Sequence, residues 1–160
     1  MATPFAIRLA AGVDAPRIAA MSRDFIEAGL GWRWVPRAVA RAIADEETNV
    51  AVAIAAAQMA GFGIMQYATQ TAHLNLFCVH PQWRRLGIGS GLLAWLETCA
   101  VEAGIEFVFL EVRRRNPQAR AFYRAQGYSE LALLPGYYSG REDAVRLGKD
   151  LTVVTVRSGG

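Results

Sequence analysis

The stretch His80-Pro81-Gln82-Trp83-Arg84-Arg85-Leu86-Gly87-Ile88-Gly89-Ser90 decides how the rest of the chain is read. The apolar run before it, Leu74-Asn75-Leu76-Phe77-Cys78-Val79, reads as a strand. After it, Ile88, Leu92, Leu93, Leu96 and Ala100 recur at three- and four-residue steps, the spacing of one helix face. Arginines and glycines therefore sit on a tight turn between a strand and a helix. The first amides of a helix have no internal partners and lie at the positive end of its dipole. Glycines at 87 and 89 let a ligand approach the backbone, and the arginines add charge, so the turn suits a phosphate or pyrophosphate. A bare tight turn uses the same residues. A P-loop is excluded because no Gly-Lys-Ser/Thr follows. The dinucleotide fingerprint is excluded by its spacing, since no third glycine follows three residues on.

What remains is Arg84-x-x-Gly87-x-Gly89, preceded by a strand ending at Val79 and followed by a leucine-rich helix. This resembles the acetyl-CoA-binding motif of the GNAT N-acetyltransferases, Q/R-x-x-G-x-G/A. The resemblance implies the GNAT fold: a mixed α/β domain with a seven-stranded mixed sheet, splayed between strands four and five and flanked by about four helices. It also implies that Arg84, Arg85, Leu86, Gly87, Ile88, Gly89 and Ser90 hold the CoA pyrophosphate. The backbone of Phe77, Cys78 and Val79 would hold the pantetheine arm.

With 160 residues, 53% hydrophobic and 19% charged, the chain reads as one globular domain over 1–156 with a flexible tail at 157–160. A net charge of +3 suits an anionic ligand and is too small to argue for nucleic acid by itself. Cys78 and Cys99 lie in apolar patterns and read as buried thiols of a reducing cytoplasm. No signal peptide is apparent at Met1-Ala2-Thr3-Pro4-Phe5. From Thr48 to Trp83 there is no Asp, Glu, Lys or Arg, yet polar residues and glycines interrupt the run. Successive buried strands explain it better than a membrane span.

Along the chain, Phe5–Leu9 reads as a strand, and Asp14-Ala15-Pro16 opens a helix with Asp14 as N-cap. A second helix starts at Pro36. Strands are expected at 50–54, 61–68, 73–79, 105–112, 128–134 and 143–151, with a turn near Gln58-Met59-Ala60. The strand at 105–112 is dense enough in apolar residues to be covered on both faces. Helices are expected at 88–103 and after Asn116-Pro117, an N-cap followed by a first-turn proline.

Acetyl transfer to an amine needs a neutral amine, a donor for the developing oxyanion and an acid for the thiolate. Glu111 is the candidate base. At the end of a buried strand, apolar walls would raise its pKa; pairing with Arg113, Arg114 or Arg115 is the plainer alternative. The pattern Glu111-Val112-Arg113, Asn116, Tyr123 resembles that of bacterial ribosomal-protein N-terminal acetyltransferases within the family. The resemblance implies Glu111 as proton acceptor, Asn116 as an acetyl-CoA contact and Tyr123 as proton donor. Tyr123 reads equally as a core aromatic, and Asn116 equally as a helix cap. Cys78 lacks a partner base and is a poor nucleophile. His73 and His80 are too isolated for a metal site, and none is expected. Arg113, Arg114, Arg115, Arg120 and Arg124 form a basic patch, either solvated or facing CoA phosphates.

In this fold the acceptor enters between the first helix–helix loop and the last hairpin. Here those places carry Trp32, Trp34, Tyr137 and Tyr138, which read as walls of a substrate slot or as packing. Gly31-Trp32-Arg33-Trp34 departs from the ribosomal-protein acetyltransferases. The expectation is a cytoplasmic, acetyl-CoA-dependent N-acetyltransferase, monomer or homodimer, with no nucleic-acid or membrane partner. Its expected acceptor is a protein N-terminal α-amine. The alternatives are a small-molecule amine acceptor, such as a polyamine, amino acid or antibiotic, and a regulatory domain that binds acyl-CoA without turnover.

Overall fold

The computed structural model describes residues 3–153, so the expected tail at 157–160 lies outside the described residues. The element order is β1 (Ala6–Leu9), α1 (Ala15–Phe25), α2 (Pro36–Ala44), β2 (Thr48–Ala55), β3 (Gln58–Tyr67), β4 (Thr71–Val79), α3 (Ile88–Glu102), β5 (Phe107–Arg113), α4 (Pro117–Ala125), β6 (Ser129–Tyr138) and β7 (Glu142–Asp150). Short 3-10 turns at Gly12–Asp14 and Pro81–Trp83 precede α1 and the turn before α3. The seven strands form one sheet in the order β1-β2-β3-β4-β5-β7-β6. Every neighbouring pair is antiparallel except β4 and β5. This is the mixed α/β architecture, seven-stranded sheet and four helices expected from the sequence.

Two cores lie on opposite faces of the sheet. One buries Ile88, Leu92, Leu93 and Leu96 of α3 and Tyr123 of α4 against Val108, Leu110 and Leu147. The other buries Ile18 and Met21 of α1 and Val39 of α2 against Val52, Phe62 and Ile64. Central β3 is therefore buried on both sides from Ala60 to Met65, which explains a charge-free run without any membrane. No helix among the described residues is long and apolar enough to cross a membrane.

The parallel ladder between β4 and β5 is only three pairs long, Thr71–His73 against Phe107–Phe109. Beyond it, β4 stays with β3 as far as Val79 and β5 stays with β7 as far as Arg113, so the two halves part. A register shift between Ile64 and Met65 leaves Asn75 as an extra residue in β4. Bulges bend a strand and re-aim its side chains. Accordingly Leu74 enters the core under α3, while Leu76 enters the core under α1 and α2.

Several boundaries differ from the sequence expectation. The β2–β3 turn falls at Ala56-Ala57, both at positive φ (49° and 60°), and Gln58-Met59-Ala60 is already strand. Alanines carry no turn signal, so the glycines downstream misplaced it. β6 continues through Pro135 to Tyr138, because an edge strand tolerates a proline that donates nothing to the ladder. β5 is covered on one face only: Val108, Leu110 and Val112 are buried, and Phe107, Phe109, Glu111 and Arg113 are partly open on the other. Asp14 does not cap α1 with its side chain. Its carboxylate accepts from the Ala11 amide and pairs with Arg8 at 2.7 Å. Cys78 is buried as expected, whereas Cys99 is only half-buried.

Gly61 tests the closeness of β3 to β4. A Cβ there would stand 2.7 Å from the Cys78 carbonyl oxygen, a main-chain atom that cannot swing away. Gly61→Ala is expected to cost about 2 kcal/mol, lowering Tm by roughly 4–8 °C. Thermal unfolding with an unchanged Tm would show that the strands have room to separate.

Candidate active site

The parting of β4 and β5 opens a cleft of about 960 Å³. Phe77, Cys78 and Val79 line it from β4, and Leu110, Glu111, Val112 and Arg113 line it from β5. One end is the turn before α3. Gly87 caps this helix in the left-handed conformation (φ 81°), and no side chain caps the free amides of the first turn. Arg85 is also left-handed (φ 64°), and Arg84 Nε donates to the Val79 carbonyl at 3.0 Å, tying the turn to β4. A Cβ on Gly89 would press on the Phe122 ring at 3.3 Å. Gly87 is thus needed for backbone shape and Gly89 for close packing of α4. Uncapped amides beside Arg84, Arg85 and Ser90 make a fit seat for a phosphate. Leu86 is exposed and Ile88 is buried in the core, so these two can meet a ligand only through main-chain atoms. Asn116 lines the same cleft while its Oδ1 accepts from the Ala119 amide at 3.0 Å, so it caps α4 as well.

Tyr123 also lines the cleft. It is 6% exposed and packs its ring against Phe77, Phe122 and Tyr128. Burial, then proximity to Cys78 and Tyr138, pushes its pKa up, so the hydroxyl keeps its proton at neutral pH. Burial likewise pushes the Cys78 thiol up to about 12, against a small opposing effect of Arg84, which leaves it a poor nucleophile.

Glu111 overturns one expectation. Its side chain is 4% exposed, and burial alone pushes its pKa up. Hydrogen bonds from His73 and Arg146, the charge of His73 and a hydrogen bond from Tyr137 outweigh that and bring it down to about 2. Oε1 lies 2.6 Å from His73 Nε2 and accepts from Tyr137 Oη at 3.0 Å; Oε2 accepts from Arg146 Nε at 2.9 Å. Its cation is Arg146, the residue beside it on β7, and not Arg113, Arg114 or Arg115. The sequence hid this because His73 is 38 positions away and Arg146 is 35. His73 and Arg146 were both missed. The available signal was strand register: a parallel β4–β5 pair places His73 opposite Phe109, one diagonal step from Glu111.

The basic patch is also largely spent on structure. Arg113 Nη1 donates to Glu142 at 2.7 Å, and its Nη2 donates to the carbonyls of Ile26 and Ala28 at 2.7 and 2.8 Å. Arg114 pairs with Asp143 and Arg120 with Glu130. Arg113 thereby fastens the end of α1 to the last hairpin, across the far end of the cleft.

That far end is walled by Trp34, Tyr137 and Tyr138. Trp32 does not line it. Its Nε1 donates to the Ala19 carbonyl at 3.1 Å, and Arg23 lies over its ring, so it packs outside α1. Glu27 holds the loop: it accepts from the amides of Arg33 and Trp34 and from the Ser22 hydroxyl. Among the described residues no group of His, Cys, Asp and Glu is placed to hold a metal ion.

Residues 16–128 match the model of the acetyltransferase (GNAT) family. Over 91 residues the chain is 36% identical to the [ribosomal protein bS18]-alanine N-acetyltransferase of Escherichia coli. The match takes in 55% of this chain but 62% of that relative's length. The crystal structure of the E. coli ribosomal-protein-S18-alanine N-acetyltransferase superposes with a TM-score of 0.80 at 25% identity, over 96% of this chain and 98% of that one. Ard1 from Thermoplasma volcanium superposes with a TM-score of 0.79 at 25% identity, over 91% and 97%. With the family model matched across most of its length, the chain belongs to the GNAT acetyltransferase family.

Proposed function

We propose that the protein transfers an acetyl group from acetyl-CoA to a primary amine, the acceptor being a protein N-terminal α-amine. One observation carries this. A single cleft through the split sheet joins a phosphate seat to a buried, ionised carboxylate, with aromatic walls beyond it. CoA's diphosphate fits the turn at Arg85–Ser90, and the unpaired edge of β4 from Phe77 to Val79 suits an extended pantetheine arm. The relative in E. coli is named as an alanine N-acetyltransferase of ribosomal protein bS18, which supports a protein acceptor. The aromatic slot suits a flexible chain end.

The acceptor nitrogen enters beside Tyr137 and Tyr138 and faces Glu111. A carboxylate with a pKa of about 2 is ionised at every working pH. It attracts the acceptor's ammonium and takes up its proton only in passing. The freed lone pair attacks the thioester carbonyl carbon, the new C–N bond forms, and the C–S bond breaks. The leaving thiolate accepts a proton from Tyr123 Oη, and the second proton, shed by the acetylated nitrogen, returns to Tyr123. Arg113 holds the two walls of the slot in register.

The direct test is thiol release from acetyl-CoA with two acceptor pools, short peptides of varied N-terminus and a set of polyamines, amino acids and aminoglycosides. Release with peptides is expected; release with small amines alone would move the slot to metabolite recognition. Glu111→Gln and Tyr123→Phe should each lower kcat by about 100-fold, the usual scale for a lost proton-transfer group. Wild-type turnover by either variant would remove that residue from the reaction. Arg113→Met should raise the acceptor KM about tenfold, equivalent to one lost charge-assisted contact, and leave the acetyl-CoA KM unchanged; equal rises in both would deny it a role at the acceptor end. In the pH profile of kcat/KM, the acid limb should lie at neutral pH or above. A limb near pH 4 to 5 would mean that Glu111 titrates as an ordinary carboxylate.

A further inference from the structure

We infer that Arg33 selects the acceptor by pairing with a carboxylate side chain in the first few residues behind the reacting α-amine. This deepens the acetyl-transfer reading above and rests on it. The starting point is the segment Gly31-Trp32-Arg33-Trp34, which departs from the ribosomal-protein acetyltransferases and which the reaction itself leaves unused.

Arg33 lines the cleft at the end walled by Trp34, Tyr137 and Tyr138, and it is exposed. The other charged groups at that end are committed. Glu111 meets His73, Arg146 and Tyr137. Arg113 spends its guanidinium on Glu142 and on the carbonyls of Ile26 and Ala28. Glu27 points both carboxylate oxygens at the loop, accepting from the amides of Arg33 and Trp34 and from the Ser22 hydroxyl. The Arg33 guanidinium forms no ion pair among the described residues. It is therefore the cation this end of the cleft can offer to a ligand.

The main chain under that cation is held in place. Glu27 accepts from the Arg33 amide at 2.7 Å. On one side, Trp32 is fixed to α1 by its bond to the Ala19 carbonyl and by Arg23 over its ring. On the other, Trp34 is turned into the cleft wall. A charge carried on a fixed backbone costs less to bring to a ligand than one on a loose loop. A guanidinium offers paired donors that match the two oxygens of a carboxylate.

The two ends of the acceptor then meet opposite charges. Its ammonium is drawn to Glu111, and the segment behind it passes the aromatic walls toward Arg33. An extended peptide advances about 3.3 Å per residue, so its second, third and fourth side chains pass the wall in turn. An Asp or Glu among them pairs with Arg33, whereas a Lys or Arg there is repelled.

The test uses C-terminally amidated peptides that differ only in carrying Asp or Asn at the second, third or fourth residue, so the side chain is the sole carboxylate. With the wild-type protein at low ionic strength, Asp should exceed Asn about tenfold in kcat/KM at one of these positions, through the acceptor KM. Added salt should narrow the difference, because the pair is exposed. In Arg33→Gln the Asp-to-Asn ratio should fall to about one, and in Arg33→Glu it should invert. Arg37→Gln removes an exposed arginine of α2 that does not line the cleft, and it should keep the wild-type ratio. A wild-type ratio of one at all three positions would overturn the proposal. So would a preference that survives in Arg33→Gln, or one that Arg37→Gln abolishes equally, since the second would mean a diffuse field and no contact. If the wild-type protein releases no thiol with any acceptor, the acetyl-transfer reading fails instead, and Arg33 is judged by calorimetric binding of the same peptides in the presence of CoA. Tighter binding of an Asp peptide that is lost in Arg33→Gln would sustain the selection; equal binding of every Asp and Asn pair would overturn it.

Discussion

The site exists because β4 and β5 stop pairing after three residues. Main-chain amides and carbonyls must find partners, and a ladder abandoned mid-sheet leaves them without any on the facing edges. Those edges line the cleft, so the groups that cost stability in an empty site are the ones available to an extended ligand. The bulge at Asn75 serves the same end. It turns β4 so that Leu74 and Leu76 enter opposite cores, which anchors the strand on both sides of the place where it leaves its neighbour.

Two half-sites then meet through one opening. The turn before α3 lies at one end, where uncapped amides and arginines gather positive charge. The polar network around Glu111 lies at the other. The arginines divide by location. Arg84 and Arg85 remain at the turn, while Arg113, Arg114, Arg120 and Arg146 are engaged by carboxylates. A run of arginines in sequence therefore does not mark an anion site. What distinguishes Arg84 and Arg85 is that, among the described residues, neither pairs with a carboxylate and both lie beside free helix amides.

Much of this was legible in the sequence, and the divide follows the range of the interactions. The strand–turn–helix around Gly87 and the Asn116-Pro117 helix start depend on contacts within a few residues, and both stand where expected. The order of helices and strands follows from hydrophobic period alone. Glu111 was legible as a position but not as an electrostatic state, because its state is set by His73 and Arg146 on other strands. Trp32 and Trp34 are two residues apart and read alike. Only the packing against α1 separates them, since Trp32 spends its indole N–H on the Ala19 carbonyl and Trp34 is turned toward the cleft.

The low proton affinity of Glu111 is what makes the site coherent. An acceptor amine is protonated at neutral pH, and a cation enters a partly buried slot only if a negative charge waits there. A carboxylate with a raised pKa would be half neutral and would attract the ammonium less. One held near pKa 2 is fully charged, at the cost of being a weak base. Arg146 on its second oxygen keeps that charge from being an uncompensated buried ion. Attraction and proton removal ask opposite things of one carboxylate. Here the donors gathered around Glu111 favour attraction, and they gather at the last point where its strand still pairs with β4, His73 opposite Phe109.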